Sequence, residues 1–132
     1  MFYVIGLVTG IVSFFVGCMW YTALFGKAWQ QGMEFTDDKV KTIFKPQRII
    51  VAVLSELIAA LCTVGILYNL PEQIPLLVRA VMLIVVVVGS GIKLAIFDGK
   101  KATIILINEG YKIVSILLFF FSLTLFGQYI VF

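Results

Sequence analysis

The chain of 132 residues is 62% apolar and 13% charged, against about a quarter charged in soluble proteins, which places it in a membrane as one small domain, 1–132. A formal net charge of +3, with no basic stripe interleaved with aromatics, excludes a nucleic-acid partner. The absence of histidine removes the commonest general base and metal ligand. Cys18 and Cys62, isolated in apolar runs, form no metal, disulfide or electron-transfer motif, so neither a metal nor a cofactor is expected.

About 20 apolar residues at roughly 1.5 Å rise span the hydrocarbon core of a bilayer. Four segments qualify: Phe2 to Phe25, Ile49 to Leu70, Leu76 to Phe97 and Ala102 to about Phe126. The first has no Lys or Arg before it and no small-x-small cleavage site, so it reads as a retained helix and not as a signal peptide. Gly26-Lys27 ends it. Between the first and second segments, Thr36 can cap a short helix through Phe44, with Asp37 and Asp38 in its first turn and Lys41 and Lys45 towards its end. Val40, Ile43 and Phe44 give that helix one apolar side, and Trp29 is a nearby interface anchor. A helix lying on the membrane surface and a solvated loop are both open readings. Pro46 clears the way for the second segment, Leu70-Pro71 to Pro75 makes a tight turn, and Asp98-Gly99-Lys100-Lys101 makes the last one. The expected fold is therefore an all-α membrane protein: a four-transmembrane-helix bundle with a short amphipathic cytoplasmic helix between helices one and two.

Orientation follows from the loop charges. The first loop holds Lys27, Lys39, Lys41, Lys45 and Arg48, and the third holds Lys100 and Lys101. The turn between helices two and three holds none, and Arg79, one turn into helix three, is the sole basic residue near that side. A multi-pass protein of the cell membrane with both termini outside and both basic loops in the cytoplasm is expected.

Gly6, Gly10, Ser13 and Gly17 recur at helical spacing on one face of helix one, as small residues do where helices meet in lipid. Ala52, Glu56, Ala59 and Thr63 make a similar stripe on helix two, and Gly89 precedes Lys93 by one turn on helix three. Packing inside one subunit is the first reading. Four short helices leave little interior for several stripes, so Gly6, Gly10, Ser13 and Gly17 are also candidates for a homo-oligomer seam.

Glu56, Lys93, Glu109 and Lys112 lie well inside the helices, where each costs a few kcal/mol unless paired or hydrated. In this orientation Glu56 and Glu109 sit at one level, roughly 10 Å deep, with Lys93 shallower and Lys112 deeper. Asn108, Lys112 and Ser115 share a face of helix four, and Glu109 stands one turn before Lys112, close enough to pair. Trp20, Tyr21 and Thr22 reach a similar level from helix one, and Tyr111 belongs to the same candidate binding layer. Two readings are open. The layer either fixes helix register through paired charges, with Lys93 snorkelling to the surface, or forms a polar cavity where Glu56 or Glu109 exchanges a proton or holds a small cationic solute.

Two stretches of this layer carry a resemblance. The segment Trp20-Tyr21-Thr22-Ala23-Leu24-Phe25-Gly26-Lys27-Ala28-Trp29 resembles the opening signature of a bacterial and fungal family of small four-helix membrane proteins, domain of unknown function seventeen sixty-one. Ile96-Phe97-Asp98-Gly99-Lys100-Lys101, followed by Ile107-Asn108-Glu109-Gly110-Tyr111-Lys112-Ile113-Val114-Ser115, resembles its acidic-glycine-basic turn and its Asn-x-Gly-Tyr-His helix. The resemblance implies a four-helix membrane domain and implies no activity. The chain departs from the pattern at Lys112, where the family usually has histidine, at Glu109, where it has a small residue, and at Ala23, where it often has proline. A mechanism that needed the histidine has no such residue here, and Glu109 with Lys112 reads as a compensating pair.

The functional expectations are ordered accordingly. First stands a small oligomeric transporter or channel using the acid-base layer. Second stands an accessory or structural membrane protein that binds a partner, or anionic lipid through the five basic residues of the first loop. An enzyme is not expected, since no nucleophile-base pair, metal cluster or phosphate loop occurs.

Overall fold

The computed structural model describes residues 2–127. Helix α1 (Phe2–Met19) runs into a π-helical turn, Trp20–Leu24, and after Phe25 the chain turns into α2 (Gly26–Met33). Then come α3 (Asp37–Ile43), α4 (Pro46–Asn69), α5 (Leu76–Phe97) and α6 (Ala102–Phe126). Four helices are long and apolar enough to cross a membrane: Tyr3–Leu24, which includes the π turn, Pro46–Asn69, Leu76–Phe97 and Ala102–Phe126.

The ends of these helices have local causes. The Thr36 side chain accepts from the Lys39 N–H at 3.2 Å and caps α3, as its sequence position implies. Pro46 opens α4 at its first turn, where its missing N–H leaves no bond unmade. Gly99 closes α5 with φ at 70°, so that Lys100 N–H reaches Ala95 O at 3.0 Å and Gly99 N–H reaches Ile96 O at 3.1 Å. A left-handed residue after the last turn satisfies the orphan carbonyls in this way. Glu34 ends α2 by the same device, with φ at 59°.

The first segment departs from expectation. The α-helix does not run to Phe25 but gives way to the π turn at Trp20, where Phe25 N–H bonds to Trp20 O at 2.9 Å. Gly26 does not begin a loop: it begins α2, which apolar periodicity did not reveal. Gly32 of α2 lies against Ile104 of α6, where a Cβ would stand 2.6 Å from Cδ1. The second segment starts at Pro46 and not at Ile49.

The spans pack antiparallel. Helix α1 lies on α4, with Gly6 facing Val64 and Gly10 facing Ala60, while α6 packs between α1 and α5. Ala60, Val64 and Leu67 of α4, Ala80 of α5, and Ile116, Phe119 and Leu123 of α6 form the buried core, gathered towards the end away from the basic loops. The opposite end joins both basic loops, since Lys101 Nζ lies 3.1 Å from Glu34 Oε1. Large apolar side chains such as Phe15, Val51, Val86 and Leu106 point outward, an arrangement that water penalises and lipid does not.

The glycine face of α1 is used up within the chain. Gly6 and Gly10 meet α4, Ser13 is fully buried, and Gly17 lies under Tyr111 of α6. The homo-oligomer seam expected there is thus occupied by the chain's own helices. By contrast, a Cβ at Gly65 or Gly89 meets nothing within 4 Å.

Candidate functional site

Polar side chains collect in the half nearer the basic loops, and the geometry of α1 and α6 sets their arrangement. On α6, Asn108, Tyr111 and Ser115 follow at three and four residues and so form one stripe, turned towards α1. Ser13 is its counterpart: its Oγ donates to Glu56 Oε1 at 2.7 Å and lies 2.6 Å from Ser115 Oγ. With its only proton given to the carboxylate, Ser13 accepts from Ser115. Tyr111 Oη donates to Ser13 O at 3.1 Å, with Glu56 Oε1 3.4 Å away. Gly17 permits this approach, because a Cβ there would stand 2.8 Å from Tyr111 Oη.

The π turn brings two consecutive residues to α6. Its extra residue per turn widens the helix, so Trp20 Nε1 donates to Ile107 O at 2.8 Å while Tyr21 Oη donates to Asn108 Oδ1 at 2.8 Å. Gly110 leaves room for the indole, 3.1 Å from where a Cβ would lie. Rings continue the contact outward: Tyr21 meets Trp29 edge-on, and Trp29 meets Phe35. The two stretches singled out by resemblance, beginning at Trp20 and at Ile107, therefore dock on each other.

The acids do not share one site. Glu109 is 6% exposed and its Oε1 takes Lys112 Nζ at 2.9 Å. This pair lies against Gly91 of α5, where any Cβ would collide with both side chains. Glu109 Oε2 is buried without a hydrogen-bond partner. Glu109 and Lys112 line a groove of about 390 Å³ beside α5, with Asp98 and Lys100 also on its walls. Glu56 lines a separate groove of about 560 Å³, which Phe14, Cys18, Trp29 and Arg48 also border. Tyr21, Asn108 and Tyr111 line both and form the wall between them.

Of the residues expected in the layer, Trp20, Tyr21, Glu56, Asn108, Glu109, Tyr111 and Lys112 come together around this wall. Lys93 does not. It is exposed and forms no hydrogen bond or ion pair among the described residues. The reason is angular: α5 meets α6 through Gly91 and Ala95, and Lys93, two residues from each, points about 200° away. Ser13 was expected as a small residue of a packing face or homo-oligomer seam, and its place at the centre of the network shows only in three dimensions. Arg79 was expected only as an isolated charge. It is buried and donates to Ile74 O, Leu67 O and Pro71 O at 2.7, 2.8 and 2.8 Å; its position one turn after the Pro71 to Pro75 turn is the signal that pointed there. Among the described residues no three His, Cys, Asp or Glu side chains gather as a metal would require.

Four apolar spans, an outward apolar surface and a polar cluster confined to one half define a small four-helix membrane protein. The chain belongs to the family described as Protein of unknown function (DUF1761), whose profile matches residues 5–126. No curated protein and no solved structure matches it.

Proposed function

We propose that the protein is a small membrane carrier whose working group is Glu56, exchanging a proton or a cationic solute at the groove between α1, α4 and α6. One observation carries this reading. Ser13 and Tyr111 approach only Oε1 of Glu56, and no Lys or Arg pairs with the carboxylate among the described residues. A carboxylate inside a membrane span without a cationic partner is costly, and its cost falls when a proton or cation arrives. Glu109 is different, since Lys112 neutralises it within the chain. That pair favours a structural role for the α5 side of the cluster.

The carrier reading places the basic connections in the cytoplasm and both termini outside, supported by the gathering of Lys27, Lys39, Lys41, Lys45, Arg48, Lys100 and Lys101 at one end of the bundle. It also takes the working unit to be oligomeric, with the open faces at Gly65 and Gly89 able to receive a second copy. The test is flux in proteoliposomes. Wild-type protein should dissipate a pH or cation gradient faster than protein-free vesicles, and Glu56→Gln should not. Equal rates for all three sink the proposal.

A further inference from the structure

The groove at Glu56 has more room and more apolar wall than a proton or an inorganic cation needs. Its volume of about 560 Å³ is in the range that encloses a drug-sized molecule. Phe14, Cys18, Ile49 and Ala52 supply apolar wall, and Tyr21 and Trp29 supply rings. Among the described residues Glu56 is the only acid bordering it; Ser13 and Tyr111 approach its Oε1, and its Oε2 has no partner. Arg48, the one basic residue on its border among the described residues, is exposed and two turns from Glu56 along α4, about 12 Å.

Resting on the carrier reading above, we propose that this groove takes a monovalent amphipathic cation: an apolar or aromatic body bearing one amine or onium centre. The cationic centre pairs with Glu56 Oε2, and the body packs against the rings of Trp29 and Tyr21, which bury apolar surface and also attract a cation. A single carboxylate sets the charge at one, since a second positive centre would find only Arg48. A small hydrated cation leaves the apolar wall unused. Cys18, Ile49 and Ala52 on the rim are exposed, so the groove opens towards lipid, where amphipathic cations concentrate. Proton and solute compete for one carboxylate: a protonated Glu56 gives up its proton to solution as the cation binds, and no covalent bond changes.

The test uses tetraphenylphosphonium, whose charge does not depend on pH, titrated onto the full-length protein in mild detergent with tryptophan fluorescence as readout. Saturable binding is expected, weaker at acid than at alkaline pH. Glu56→Gln should weaken it by about tenfold or more and abolish the pH dependence, while Glu34→Gln in the exposed loop should leave it unchanged. Ala52→Phe, which fills the groove at an exposed position without altering Glu56, should block binding with helicity intact. Unchanged binding in a folded Glu56→Gln variant overturns the proposal, as does equal binding of tetramethylammonium, which has the charge without the body. Glu56-dependent proton flux in liposomes without tetraphenylphosphonium binding overturns the solute class and leaves the carrier reading standing. Absence of both removes both.

Discussion

Tyr111 lies so close to Gly17 that a methyl group on the glycine would stand 2.8 Å from the phenol oxygen. The absence of a side chain at Gly17 therefore sets the position of a hydroxyl on another helix, and through it the bonds to Ser13 O and Glu56. Gly17→Ala should displace the ring, destabilise the protein by about 1–3 kcal/mol as overpacking does, and lower any Glu56-dependent flux. Thermal unfolding by circular dichroism reads the first effect. A variant with wild-type stability would show that Tyr111 has space to move aside.

Arg79 ties the turn between α4 and α5 to both helices through three carbonyls. Lysine carries the charge but not the planar fork that reaches three acceptors. Arg79→Lys should cost at least about 2 kcal/mol, since bonds from a charged donor contribute roughly 1.5–3 kcal/mol each. Arg79→Ala should cost more, because the carbonyls then lose every side-chain donor. The effect on ligand binding at Glu56, eleven residues or roughly 16 Å from Leu67 along α4, should be small once folded protein is selected.

Glu109 and Lys112 behave as a unit. Lys112→Met alone leaves a buried carboxylate uncompensated and should be the more damaging of the two single changes at this pair, on the order of 3 kcal/mol. Glu109→Leu combined with Lys112→Met should recover most of that loss. Chemical denaturation of the two single variants and the double variant in detergent gives the coupling, and additive losses would deny that the residues stabilise each other.

Cys18 borders the groove at Glu56, whereas Cys62 is exposed elsewhere on α4. In a Cys62→Ser background, a bulky maleimide on Cys18 should block Glu56-dependent flux, and bound tetraphenylphosphonium should slow its reaction. In the reciprocal Cys18→Ser protein, labelling Cys62 should leave the flux equal to that of the unlabelled variant.

Much of the fold follows from local chemistry. The third and fourth spans begin and end where hydropathy and the turn residues put them, Leu76–Phe97 and Ala102–Phe126, and Thr36 caps α3 as its spacing to the following charges implies. Helix α2 escaped that reading because its eight residues, Gly26–Met33, are too short a window for the Ala28, Trp29 and Met33 face to stand out from a loop, and it is held by Gly32 against Ile104, a contact between distant parts of the chain. The π turn escaped for a similar reason: Trp20–Leu24 is as apolar as an ordinary helical turn, and the side-chain bonds to Ile107 O and Asn108 that accompany it lie about ninety residues away in sequence.

Four helices long and apolar enough to cross a membrane, polar residues in the half nearer the basic loops and a Glu109–Lys112 pair one turn apart can all be read along the chain. These depend on composition and on intervals within one helix, which the chain carries locally. That Glu56 and Glu109 face different grooves, that Ser13 joins Glu56 to Ser115 and that Lys93 is excluded emerges only in the packed helices. Those outcomes depend on how each helix is rotated against its neighbours, and the rotation is set by the close approaches at Gly10, Gly17 and Gly91, whose partners lie on other helices.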